Sequence, residues 1–299
     1  MDLTLLWIPA TLAGAAGQIA RNAAQRRLTE IIGTIGATQV RFLYGFPFAL
    51  IFLGLVRALG GEPLPGPGGD FAGFLLLGAV SQILGTALML AAMRERSFAV
   101  VTAILKTEPV QVALFGFAVL GDPLTPRGAL GVGIATLGVA LMSFPSLKGL
   151  TRSGLRPVAY GVAAASGFAL SAIGFRGAIL ALDSGSFLIR AVTTLAWSLG
   201  LQTAILFVWL AALDRPALIG SLRVWRASLG AGFLGAPASQ FWFISFSLTA
   251  AANVRTLALV EVMMAQAVSH RLLGQRTTRR ELAGMALIVA GVVLLLAGA

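Results

Sequence analysis

An all-α membrane protein of ten transmembrane helices, built as two inverted five-helix repeats, is the fold this sequence predicts. Three observations predict it. Of 299 residues, 58% are hydrophobic and 11% charged, with mean hydropathy +0.90; a soluble domain cannot hide that much apolar surface. The apolar residues fall into ten runs close to the roughly 20 residues a membrane helix needs. Finally, the chain repeats itself. Shifted by 153 residues, Gly14 falls on Gly167, Glu108 on Glu261, Gly121 on Gly274, Thr125 on Thr278, Gly131 on Gly284 and Gly138 on Gly291. Five crossings is an odd number, so a second copy inserts upside down relative to the first. The repeats are expected to span residues 1–147 and 148–299.

The first run, 3–21, follows Met1-Asp2 without a basic leader region and is expected to be a span rather than a cleaved signal. The second, 33–56, ends at a Gly- and Pro-rich turn segment, 57–70. Runs three to five are 71–93, 98–119 and 127–144. The second half reads as 158–177, 187–211, 228–247, 252–272 and 282–298. The longest other connections, 145–157 and 212–227, are too short for a folded domain.

Spans 5 and 10 carry Gly131 and Gly138, and Gly284, Gly291 and Gly298, spaced by seven on one stripe. Such stripes let helix backbones approach closely in lipid and read as packing seams. Spans 1 and 6 are also dense in small residues, from Ala13 to Gly17 and from Ala163 to Gly167.

Basic residues set the expected orientation. Loops after odd-numbered spans carry 15 Lys and Arg, and the opposite side carries Arg57, Arg127, Arg176 and Arg255. By the positive-inside rule the odd loops are cytoplasmic and both termini lie outside. The net charge of +11 therefore reads as topology signal and headgroup contact rather than nucleic-acid binding.

Absent chemistry narrows the function. There is no cysteine, hence no disulfide, thiolate nucleophile or Cys-ligated metal; the single His270 offers neither a ligand cluster nor a triad. No GxxxxGK[ST] phosphate loop and no GxSxG element is present, so neither an ATP-driven pump in one chain nor an intramembrane hydrolase is expected. No cofactor is expected.

The candidate site residues are polar groups inside spans. Glu108 and its repeat mate Glu261 fall near the middles of spans 4 and 9. An ionised carboxylate there costs at least a few kcal/mol on insertion scales, so each faces a cavity, pairs with a cation or is protonated. Lys106, Arg41 and Arg190 are the candidate internal partners. Pro109 removes a backbone N–H and frees the Leu105 carbonyl, kinking the helix beside Glu108; span 9 has Val262 instead. Arg41 and Arg190, near the starts of spans 2 and 7, either bind a substrate carboxylate, neutralise a glutamate or snorkel to the interface. Gln18, Arg21, Asn22 and Gln25 form a polar stripe on span 1. Ser81, Gln82, Gln111, Ser239 and Gln240 add neutral polar groups at depth, which usually face the bundle interior. Trp197 and Trp242, with Phe241, Phe243 and Phe246, offer a wall for an apolar substrate group or pack against lipid.

The stretch 85–142 resembles the EamA-type unit of the drug/metabolite transporter superfamily. The resemblance rests on Leu84-Gly85-Thr86, the segment around Ala99, Glu108-Pro109-Val110, Leu120-Gly121-Asp122-Pro123-Leu124-Thr125, and Gly131 with Gly138. The second copy repeats it as Leu273-Gly274-Gln275-Arg276-Thr277-Thr278 with Gly284 and Gly291. Leu6-Trp7 and Arg41-Phe42 resemble two further family elements. Asp122 and Gln275 stand where the family carries a turn glutamate, and no role is assigned to them. Many relatives place both termini in the cytoplasm, against the charge count here.

The resemblance implies a secondary carrier exporting small organic solutes, amino acids or related metabolites, by alternating access through a cavity between the repeats, with the aromatic amino-acid exporter group the nearest subclass. On that reading an ammonium lies near Glu108 or Glu261, a carboxylate near Arg, and a side chain against Phe and Trp. The alternative is proton-coupled efflux of lipophilic or quaternary ammonium cations. The expected setting is a bacterial-type inner membrane, with a small-molecule substrate, the lipid bilayer as the other partner, and a monomer sufficient.

Overall fold

A computed structural model describes residues 5–95, 98–143, 152–263 and 278–298. Helices make up nearly all of it. They are α1 (Trp7–Leu43), α2 (Phe46–Gly60), α3 (Phe71–Glu95), α4 (Phe98–Leu105), α5 (Glu108–Phe115), α6 (Pro126–Ser143), α7 (Arg152–Leu180), α8 (Phe187–Leu213), α9 (Arg215–Arg223), α10 (Trp225–Leu248), α11 (Ala251–Leu257) and α12 (Arg279–Gly298). Four helical stretches are long and apolar enough to cross a membrane: Ala24–Gly60, Phe71–Glu95, Arg156–Leu180 and Phe187–Leu213. Shorter apolar helices are Glu108–Leu120, Pro126–Leu141 and Leu282–Ala297.

The expected loop after residue 21 is helical. α1 runs on to Ile32 and is broken at Gly33, whose φ of 73° and ψ of 175° suit a residue without Cβ. Gln25 Nε2 donates to the Ala37 carbonyl across this break. The connection 212–227 contains α9, which begins where Asp214 Oδ1 accepts from the Ala217 N–H at 3.1 Å. The rest of span 9 after Met263, with His270, and the following turn with Gly274-Gln275 lie outside the described residues.

Three antiparallel seams organise the bundle, each made by small residues. α1 lies on α10: a Cβ added at Gly17 would stand 2.8 Å from the Ala238 Cβ, and one at Gly14 would stand 3.3 Å from the Trp242 ring. Thr11 Oγ1 donates to Ser245 Oγ further along the same seam. α3 lies on α7, with Gly85 against Gly167 and Gly78 against Phe175. α6 lies on α12, with Gly131 against Gly291 and Gly138 against Gly284. With lipid as apolar as the side chains, close backbone approach is the means by which such helices adhere. The outward faces of α2, α3 and α8 expose large apolar residues such as Leu50, Leu55, Leu76 and Val208, as a lipid-facing surface does.

One end of the bundle is tied shut by its connections. The segment 61–70 pairs with 181–186: Gly68 N donates to the Ala181 carbonyl and Asp183 N to the Gly66 carbonyl, at 2.9 and 3.1 Å. Ser186 N donates to Glu62 Oε2 at 2.7 Å, which holds the Glu62 carboxyl below its usual range. Nearby, Arg176 Nη2 meets Asp122 Oδ1 at 3.2 Å while Nη1 donates to the Phe246 and Thr249 carbonyls. Arg176 therefore satisfies carbonyls left over at the end of α10 and ties α7, α10 and the 121–125 turn together.

Candidate functional site

Both predicted spans that carry a glutamate are broken beside it. Between α4 and α5 the chain leaves the helix at Lys106 and Thr107, and the Thr107 N–H and hydroxyl both donate to the Ile104 carbonyl. Pro109 sits in the first turn of α5, where a missing N–H costs nothing. After α11 the chain breaks at Ala258 and Leu259 and resumes as helix at 260–263 without a proline. The Glu261 N–H donates to the Ala258 carbonyl there. The interruption is thus a property of both halves, and Pro109 fits it rather than creating it.

The breaks carry charge to the centre of the bundle. Lys106 Nζ is ion-paired with Glu261 Oε1. Arg255 Nε lies 3.1 Å from Glu108 Oε1. Each pair joins a residue before 147 to one after 148, so acid and base are exchanged between the halves. The Arg255 guanidinium also lies 4.4 Å from the centre of the Trp242 ring and 5.3 Å from that of Phe246, a cation–π contact on top of the ion pair.

These groups line a cavity of about 40 Å³. Its charged lining is Arg21, Arg41, Lys106 and Arg255 against Glu108 and Glu261. Gln18, Asn22, Gln82, Thr102 and Ser239 add neutral polar groups, and Phe168, Phe175, Trp242, Phe243 and Phe246 the apolar wall. Arg21 donates to Ser239 Oγ and Gln18 Oε1, and Arg41 donates to Thr86 Oγ1 at 3.0 Å with its guanidinium near the Phe42 and Phe168 rings. The space admits a few waters; pockets for organic ligands are about 300 Å³ or larger. A solute enters only if the surrounding helices separate.

The sequence-derived candidates divide clearly. Glu108, Glu261, Arg41, Gln18, Asn22, Gln82 and Trp242 meet at the cavity. Gln111 lies outside it and accepts a 2.6 Å hydrogen bond from Ser166. Gln240 is buried with neither amide atom partnered, and also lies outside the lining. Arg190 is in the first turn of α8, away from the cavity, its Nε buried without a partner. Trp197 is 60% exposed on α8 in an outer apolar groove between α2, α3 and α8. Arg255 was not among the candidates. Standing near the start of span 9, it counts in sequence as a loop arginine. The signal that finds it is compositional: each span with a glutamate also holds a base within six residues before it, Lys106 before Glu108 and Arg255 before Glu261. Among the described residues no group of His, Cys, Asp and Glu is arranged to hold a metal ion.

Comparison with known proteins bears on fold and family. No curated protein sequence matches the chain. Among 29 matching chains of solved structures, one crystal structure aligns over 96% of this chain and 95% of its own, with a TM-score of 0.65 and 15% identity; at that identity the likeness shows a shared fold alone. Residues 6–144 match the model of the EamA-like transporter family, the stretch that contains Arg41, Lys106 and Glu108. The match covers just under half of the chain, which is therefore similar to that family, and its several long apolar helices are those of a multi-pass membrane protein.

Proposed function

We propose that the protein is a secondary carrier of ten spans, two inverted five-helix repeats at 1–147 and 148–299, exporting small organic solutes of the amino-acid or related-metabolite class. It works by alternating access through the central cavity, in a bacterial-type inner membrane, and a monomer suffices.

One observation carries this reading: the two ion pairs Lys106–Glu261 and Glu108–Arg255 cross between the halves at the only place where both are interrupted among the described residues. Broken helices at a repeat interface are where carriers bind substrate. Packing supports the repeat as well. The 153-residue shift carries the contact of Gly14 with Ala238 onto that of Gly167 with Gly85, and the contact of Gly131 with Gly291 onto that of Gly284 with Gly138. The connections 61–70, 121–125, 181–186 and 249–250, all predicted to lie on one side, meet at one end. With that end tied and the cavity too small for an organic solute, transport requires the ties to open.

Four cationic groups against two carboxylates disfavour the alternative of lipophilic-cation efflux, because a cation entering this space meets an excess of its own sign. The aromatic amino-acid subclass rests on sequence resemblance alone. The test is solute flux in liposomes holding the purified protein, with a panel of amino acids, organic acids and a quaternary ammonium ion, with and without a pH gradient. Saturable flux of a metabolite that trans substrate accelerates is expected. Flux of the ammonium ion alone, lost when the gradient collapses, would establish the alternative.

A further inference from the structure

We infer that the solute is an organic anion, a small aromatic or apolar carboxylate without an ammonium group, and that Arg21 and Arg41 hold its carboxylate. This rests on the carrier reading above and, within it, selects a related metabolite without an ammonium group over an amino acid.

The chain has 11 carboxylate side chains. Two of them, Glu108 and Glu261, line the cavity, and each already faces a base, Arg255 and Lys106. A substrate ammonium would have to displace a guanidinium or a lysine from a buried ion pair, an exchange with no net gain in charge pairing. Arg21 and Arg41 are in the opposite condition. They are 3% and 9% exposed, and their hydrogen-bond partners are the neutral groups Ser239, Gln18 and Thr86. Arg21 Nε is buried with no acceptor, and neither arginine has an acidic partner among the described residues. Two buried guanidinium groups without a counter-charge are costly. An oxyanion placed between them supplies the charge and fits the forked donors of arginine. The rings of Phe168, Trp242 and Phe243 line the same space and suit an aromatic or aliphatic body.

Three ligands of one shape and different charge decide the matter: 3-phenylpropionate, L-phenylalanine and phenethylamine, titrated into the purified full-length protein and followed by tryptophan fluorescence and thermal shift. The expected order has 3-phenylpropionate tightest and phenethylamine without effect. Arg21→Gln and Arg41→Gln are each expected to weaken the anion by roughly 10- to 100-fold, with Arg41→Lys recovering part of the loss. If Arg41→Gln fails to fold, Arg21→Gln and Arg41→Lys still decide. Equal or tighter binding of the zwitterion or the amine overturns the inference. So does anion binding that survives in both glutamine variants, or an absence of binding by all three. Flux of the same ligands separates the two readings. Anion binding without flux keeps the anion site and removes the carrier, whereas flux of phenylalanine or phenethylamine in preference to the anion keeps the carrier and removes the anion site.

Discussion

Glu108 neutralised to Gln leaves Arg255 facing Trp242 and Phe246 with no carboxylate beside it. Breaking a buried pair by removing one partner costs about 3–5 kcal/mol, while removing both often costs far less. Glu108→Gln is therefore expected to lower unfolding stability in detergent by that amount, and Glu108→Gln with Arg255→Gln to recover part of it. Thermal unfolding of the two single variants and the double checks this; strictly additive losses would mean the pair is not coupled. At this scale the sequence is half legible. The glutamates stand out because a carboxylate inside an apolar run needs a reason. Their partners do not, because nothing in the order of residues tells which base, Arg41, Lys106, Arg190 or Arg255, will face Glu108. Arg21 shows the same limit from the other side: it reads as the last residue of a span with a topological role, yet it is buried at the cavity.

Among the helices, glycines decide which surfaces adhere. A Cβ at Gly138 would stand 2.6 Å from the Gly284 carbonyl oxygen, whereas one at Gly133, on the same helix α6, would meet nothing within 4 Å. Gly138→Ala is thus expected to push α6 off α12 and cost about 1–3 kcal/mol. Gly133→Ala is expected to be neutral or slightly stabilising through helix propensity. Thermal denaturation of both proteins tests the contrast, and equal losses would remove the seam as the cause. The seven-residue spacing announces this seam in the sequence, since small residues at that period fall on one face. What the spacing leaves open is the partner. Gly14 meets α10 and Gly167 meets α3, although both sit in similar small-residue runs. Helix ends are legible only in part. Gly33 breaks α1 twelve residues beyond the expected end of span 1, because the polar stretch between them continues the helix instead of forming a loop.

For the molecule as a whole, the tied end is the feature that the proposed alternating access has to undo. The chain has no cysteine of its own, so a pair can be introduced cleanly. Gly66 and Asp183 adjoin: the Asp183 N–H donates to the Gly66 carbonyl, and a Cβ on Gly66 would stand 3.2 Å from Asp183 Oδ2. The double change Gly66→Cys with Asp183→Cys is expected to transport when reduced, to stop when oxidised, and to resume on reduction. Undiminished flux in the fully cross-linked protein would show that this end does not open during transport.

The sequence by itself determined the membrane class, the small-residue seams and the two glutamates. Each of these follows from composition or from periodicity along one chain, and the matched family stretch at 6–144 lies where the resemblance was legible. Only the tertiary structure decided that Glu108 belongs to Arg255 and Glu261 to Lys106, that Arg21 and Arg41 share one cavity without an acid, and that Trp197 turns outward. Those facts depend on which helix faces which. In a bundle with apolar residues on every side, that choice is made by close contacts between residues distant in sequence, and periodicity along a single span does not encode it.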